Sequence, residues 1–198
     1  PLFNRAIAGT YPPGSTIKMV GAAAALQEKI VTASTVINDT GLLVIPNQYN
    51  PSIKYNFYGW KRSGLGPMTV KSAIAESSDI YFYTVAGGNT ATKFVGLGAE
   101  KLTEYYRMFG MGKTTGIDIQ GEKPGVVADP AWKAKYFEND PISSKWYLGD
   151  TYHISIGQGD TLTTPLQVAV WTSAIANGGT ANKPRLLKEV TDQSGKII

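Results

Sequence analysis

The chain has 198 residues, is 42% hydrophobic and 17% charged, and carries a net charge of +4 from 19 basic and 15 acidic side chains. That size and mix suit one globular domain with a real core, and the scattered basic residues make no stripe for a nucleic-acid backbone. The absence of cysteine and the single histidine, His153, exclude disulfides, thiol catalysis, thiolate metal sites and multi-histidine metal sites. No window of about 18 apolar residues and no signal peptide appear. The chain opens abruptly at Pro1 and stops abruptly at Ile198, so it reads as a piece of a longer parent.

In chain order, Pro12, Pro13 and Gly14 precede a predicted helix over 15–29, with Ser15 as its N-terminal residue. The alanine run in this helix lets others enclose it, and Gly21 marks a point of tight packing. Residues 38–68 are rich in Gly, Asn, Pro and aromatics, with β-like pieces such as Leu42 to Ile45. They predict a surface excursion with a hairpin. Thr69 is placed to cap a second helix, and the aromatic segment from Ser78 ends at Gly87 and Gly88. Leu102, Tyr105, Tyr106 and Phe109 fall at helical spacing, ended by Gly110 and Gly112. Residues 111–162 predict loop with short helices. Thr164 and Pro165 open a clear helix that stops at Gly178 and Gly179. The tail from Arg185 predicts a strand, a turn at Ser194 and Gly195, and the start of a second strand.

Ser15 and Lys18 stand three positions apart, so in a helix their side chains share a face. A serine hydroxyl is a poor nucleophile until a base takes its proton. A buried lysine, its pKa brought down from about 10.4, can be that base. The helix start would also favour a developing oxyanion through its free N–H groups. The plain alternative is a capping serine and a solvated lysine. Ser77, Ser78 and Asp79 follow a predicted helix and precede an aromatic run. Two polar side chains two apart in a turn can enter one cleft, where Ser77 could relay a proton and Asp79 could hold Lys18 or a substrate amide. Helix capping is the alternative here too.

Pro13-Gly14-Ser15-Thr16-Ile17-Lys18 followed by Ser77-Ser78-Asp79 resembles the serine transpeptidases of the penicillin-binding protein family. The stretches 4–18, 109–122 and 154–179 look like the same group, so the likeness runs in order along nearly the whole chain. Aspartate at 79, where many relatives carry asparagine, is most similar to the class B, penicillin-binding protein 2-like group of cell-wall elongation and cell shape.

This resemblance implies a peptidoglycan D,D-transpeptidase with Ser15 as nucleophile, Lys18 as base, Ser77 as proton relay and Asp79 orienting the site. The implied partners are D-Ala-D-Ala stem peptides, β-lactam antibiotics and a membrane-bound cell-wall polymerase, with no nucleic acid and no cofactor. It also implies a parent anchored in the bacterial cytoplasmic membrane, its catalytic domain on the outer face. Some relatives carry zinc between the first two motifs. Only Asp39 offers a ligand there, so no zinc is expected. Gly157, Gln158 and Gly159 are read as a packing turn below the cleft, with substrate contact the lesser reading. His153 is read as structural, Tyr81, Phe82 and Tyr83 as core, and Trp60, Trp132 and Trp146 as rim residues or loop pins.

The implied fold is mainly α: residues 1–198 form the helical lobe of the α+β transpeptidase fold, with most of the antiparallel sheet outside the chain. The family's Lys-Ser/Thr-Gly motif is not reached. Arg62-Ser63-Gly64 precedes Ser77 and so has the wrong order, and Lys113-Thr114-Thr115-Gly116 has an extra threonine. A serine D,D-carboxypeptidase, a β-lactamase, a β-lactam sensor domain and an inert fragment stay open as alternatives. A β-lactamase would need a deacylating glutamate, for which Glu100, Glu104, Glu122 and Glu138 are the candidates.

Overall fold

A computed structural model describes residues 3–47 and 49–197. The Pro-Pro-Gly lead-in opens into a 3-10 turn, Gly14–Ile17, and the α-helix proper, α1, spans Lys18–Gln27. The expected helix therefore starts differently from its sequence reading. Pro13, already helical in φ and ψ, takes the N-cap place, and Ser15 lies inside the tight turn. No side chain caps this turn; the Thr16 hydroxyl donates to the Pro13 carbonyl at 2.8 Å.

α1 is the axis of the lobe. Val20, Ala24 and Ala25 are fully buried, and the small side chains let three helices close on it: α2 (Val70–Ala75), α3 (Asp79–Gly87) and α4 (Ala99–Met108). At Gly21 the neighbours come into ordinary contact, a Cβ there lying 3.7 Å from Phe82 and 3.9 Å from Leu102. Thr69 caps α2 in a reciprocal box with Ser72, as the sequence predicts. Tyr81, Phe82 and Tyr83 are buried, so the aromatic run is core.

The excursion after α1 folds as two small antiparallel pairs. β1 (Ile37–Asp39) pairs with β4 (Gly66–Met68), and β2 (Leu42–Pro46) with β3 (Lys54–Tyr58). The inner pair packs Leu43, Ile45 and Phe57 onto α3 and onto Tyr152 of α6 (Leu148–Ser155). The short α5 (Pro130–Tyr136) and the long α7 (Pro165–Ala176) complete the helices. Thr164 caps α7 with Gln167, and Trp171 of α7 is fully buried against α1 and α4 residues.

The structure is thus helix-rich with little sheet, as expected. The tail differs. No strand forms over 185–190, because the N–H groups of Leu186 and Leu187 donate to the Asp118 carboxylate, each at 2.8 Å, instead of to a neighbouring strand. The turn at Ser194 and Gly195 does form, closed by a single Thr191–Ile197 bridge; Ile198 lies outside the described residues. Among the described residues no helix is long and apolar enough to cross a membrane.

Tyr152 joins three elements: it is fully buried, packs on Phe57 and Tyr83, and donates to the Gly88 carbonyl at 3.0 Å. Tyr152→Phe should cost about 1–3 kcal/mol by orphaning that carbonyl. Tyr152→Ala should cost about 3–5 kcal/mol. Urea unfolding midpoints of the two variants check the ordering.

Candidate active site

Lys18 is 2% exposed, although it is a lysine at a helix start. Its amine donates to the Ser77 carbonyl at 2.8 Å, to Ser77 Oγ at 3.1 Å and to Asp79 Oδ1 at 2.7 Å. An ammonium has three protons, and here all three point at the turn between α2 and α3. The spacing of Ser15 and Lys18 predicts a direct meeting of the two. The structure spends the amine on Ser77 and Asp79, and no hydrogen bond joins it to Ser15.

The turn is shaped for this. Ser77 adopts φ +53°, a left-handed conformation that costs a non-glycine residue free energy. Ser78 then caps α3, its hydroxyl accepting from the Tyr81 N–H at 3.0 Å. The same hydroxyl donates to Asp39 Oδ2 at 2.6 Å. Capping and cleft-facing readings of this motif are therefore both met, by different residues: Ser78 caps, while Ser77 and Asp79 face Lys18. Asp79 divides its carboxylate. Oδ1 takes the amine and Oδ2 accepts from the Trp60 N–H at 2.9 Å.

Burial pushes the Lys18 amine below its ordinary pKa, an effect that the hydrogen bond and charge of Asp79, and the charge of Asp39, partly offset. Burial likewise raises the Tyr81 and Tyr83 phenols to about 12, so both stay neutral.

Ser15 is exposed and lines a cleft of about 520 Å³ with Trp60, Glu76, Ser77, Asp79 and Gln158. Its place is set from the far end of the chain. The Gly14 N–H donates to the Gly157 carbonyl at 3.0 Å. Gly157 has φ +73°, and a Cβ there would lie 2.1 Å from the Gly14 carbonyl oxygen. The Gly157–Gly159 stretch is thus a packing turn under the Ser15 segment. Gln158 of that turn also lines the cleft, whereas Gly159 packs toward His153 and Ile154 of α6.

Other candidates separate cleanly. His153 is exposed on α6 beside Phe57 and does not line the cleft. Trp60 is a rim residue, its indole donating to the Glu76 carbonyl at 3.1 Å. Trp146 pins its loop through Thr151, and Trp132 stacks on Tyr136. Thr115 and Gly116 are held by the Glu122 carboxylate in a loop, and Gly64 turns tightly against Asp39 and Thr40. Neither decoy motif enters the cleft. Nor do Glu100, Glu104, Glu122 or Glu138; the glutamate at the rim is Glu76, which sequence reasoning passed over. Asp39 is a buried hydrogen-bond acceptor for Ser78 and for the Gly41 N–H at 2.8 Å.

A serine on a helical lead-in, a desolvated lysine and a Ser-x-Asp turn stand together at one cleft, the set of groups that serine–lysine chemistry calls for. The chain belongs to the penicillin-binding protein transpeptidase domain family, whose description matches residues 1–197. It is 39% identical over 190 residues to the peptidoglycan D,D-transpeptidase MrdA of Haemophilus influenzae, covering 96% of this chain and 26% of that relative. Its fold is similar to that of Pseudomonas aeruginosa PBP2 in complex with WCK 5153, at TM-score 0.81 and 35% identity over 95% of this chain and 39% of the other. Helicobacter pylori PBP2 in complex with MreC is similar at TM-score 0.77 and 35% identity, covering 93% of this chain and 31% of the other. The chain thus spans about a quarter of the MrdA relative's length.

Lys18 also sets a pH dependence of stability. Its folded pKa lies below the ordinary lysine value of 10.5. Between the two values the unfolded chain binds more protons, so stability rises with pH across that window. Below the folded value both states hold the proton and the burial penalty is complete. In Lys18→Met this alkaline rise should vanish, as read by chemical denaturation at a series of pH values. Gly157→Ala should lower the rate of Ser15 acylation at least tenfold by displacing Gly14, as read with a fluorescent penicillin.

Proposed function

We propose that this chain is the nucleophile-bearing part of a peptidoglycan D,D-transpeptidase of the elongation type. The observation that carries this reading is the buried Lys18 amine, held on Ser77 and Asp79 beside the cleft that Ser15 lines. Family membership and the MrdA relative support the same activity.

The reaction runs in two acyl transfers. Neutral Lys18 takes the Ser15 proton as Oγ attacks the penultimate D-Ala carbonyl of a stem peptide. The proton passes through Ser77 to the leaving amine, and the terminal D-Ala departs. The amine of a neighbouring stem then attacks the acyl-enzyme, returns its proton by the same path, and forms the cross-link. Asp79 holds Lys18 in register throughout. Ser15's own N–H, at the start of the helix, supplies one oxyanion donor. Gln158 lies where it can touch the stem peptide. β-Lactams acylate the same serine.

The remaining groups, a Lys-Ser/Thr-Gly strand with the second oxyanion donor and the bulk of the sheet, belong to chain beyond these 198 residues. The relatives' greater length supports that division. The wider setting is membrane-anchored on the outer face of a bacterium, beside a cell-wall polymerase. The MreC complex of the H. pylori relative supports a cell-wall assembly partner.

Intact mass after incubation with benzylpenicillin tests the reading. A one-to-one adduct should form and persist, and should be absent in Ser15→Ala. An adduct that also forms in Ser15→Ala, or none in a protein that also carries the Lys-Ser/Thr-Gly strand, would sink the nucleophile assignment. Rapid loss of the adduct would favour a hydrolase.

A further inference from the structure

We propose that Asp39, acting through the Ser78 hydroxyl, is a positioning residue for the Lys18 amine: it fixes the turn that carries Ser77 and Asp79 and places a second negative charge behind them. The inference rests on the serine–lysine reading above for its catalytic meaning, but its physical content stands on the geometry alone.

Asp39 is 3% exposed, yet among the described residues no lysine, arginine or histidine pairs with it. A buried carboxylate needs compensation. Here both oxygens accept hydrogen bonds: Oδ1 from the Gly41 N–H at 2.8 Å, Oδ2 from the Ser78 hydroxyl at 2.6 Å. Ser78 is itself fully buried and passes the connection on to the first turn of α3 by accepting from the Tyr81 N–H. A rigid chain therefore runs from β1 to Ser78, whose two neighbours in sequence, Ser77 and Asp79, hold the amine. The left-handed Ser77 backbone needs such over-determination to persist. The carbonyl of Asp39 reinforces the frame, accepting from the Leu65 N–H at 3.1 Å.

The charge of Asp39 also reaches Lys18, favouring its protonated form after Asp79 does. From the elements packed on α1, the groups facing the amine are Asp79, the Phe82 ring at 5.8 Å and, behind them, Asp39. Lys71 of α2 and Glu100 and Arg107 of α4 sit at exposed positions. Lys101 and Glu104 pair with each other, and Lys101 reaches Glu28 just past the other end of α1. Asp39 thus does two things for a base that must give up its proton. It keeps the acceptors in place, and it restrains the loss of that proton.

The two effects separate by substitution in the intact protein. Asp39→Asn keeps a side chain able to hydrogen-bond to Ser78 and Gly41 but removes the charge. Ser78→Ala keeps the charge and cuts the tether. In Asp39→Asn the Lys18 titration, followed by the 13C shift of its Cε, should move down by on the order of half to one pH unit. The acid limb of the acylation rate against pH should move with it. In Ser78→Ala acylation should fall at least tenfold, with the protein still folded by circular dichroism. An unmoved Lys18 titration in Asp39→Asn would overturn the proposal and leave Asp39 as a turn residue only; wild-type acylation in Ser78→Ala would strike out the tether. The titration needs no acylation, so it decides the matter even if Ser15 proves unreactive, an outcome that would instead defeat the transpeptidase reading.

Discussion

Everything in this lobe is arranged around one ammonium group kept out of water. Taking a lysine amine out of solvent costs several kcal/mol unless excellent geometry offsets it. Lys18 meets that demand with three acceptors, two on Ser77 and one on Asp79. The cost is not fully recovered, and the amine's pKa stays depressed. That residual imbalance is what makes a lysine usable as a base. A solvated lysine would hold its proton too tightly, and a perfectly compensated one tighter still.

The rest of the fold reads as the means of enforcing this contact. Small residues on α1 let α3 come close enough for its N-terminal carboxylate to reach the amine. The strand pair β1–β4 braces the turn before α3 from behind, and the backbone of Trp60, just past β3, takes the second oxygen of Asp79. The excursion contributes both hydrogen bonds to the Lys18 surroundings, through Asp39 and Trp60, and an apolar face to the core. This is why the excursion between the two motifs, so poor in regular structure, is nonetheless packed onto α3 through Leu43, Ile45 and Phe57.

Much of this was legible from residues alone. Periodicity and caps located α2, α4 and α7, and the Ser-x-x-Lys and Ser-Ser-Asp spacings picked out the residues that meet. What the sequence could not supply was the direction of hydrogen bonds. Nothing in the i, i+3 rule says that Lys18 turns from Ser15 to Ser77, because that choice depends on a turn fifty-nine positions away. The 3-10 start of the first helix was hidden because Pro13 can take a helical conformation as readily as block one. The tail misled because a β-like run forms a strand only where an edge receives it, and here a single aspartate, Asp118, takes the donors of Leu186 and Leu187. Asp39 looked at most like a poor metal ligand. Its partner Ser78 was legible as a helix cap, but nothing in the residues tied its hydroxyl to Asp39.

The Gly14–Gly157 contact has an implication for how such a chain is made. The backbone around Ser15 is braced by residues that leave the ribosome long after it: Gly157 beneath Gly14, Thr163 paired with Tyr11, and Leu166 donating to Ala6. α1 can coil as soon as it is synthesised, because helices are local. Its reactive end stays unbraced until the far part of the chain arrives, and such non-local closures come late in folding. A nascent chain therefore carries Ser15 and Lys18 long before it carries the brace that sets Ser15 in the cleft.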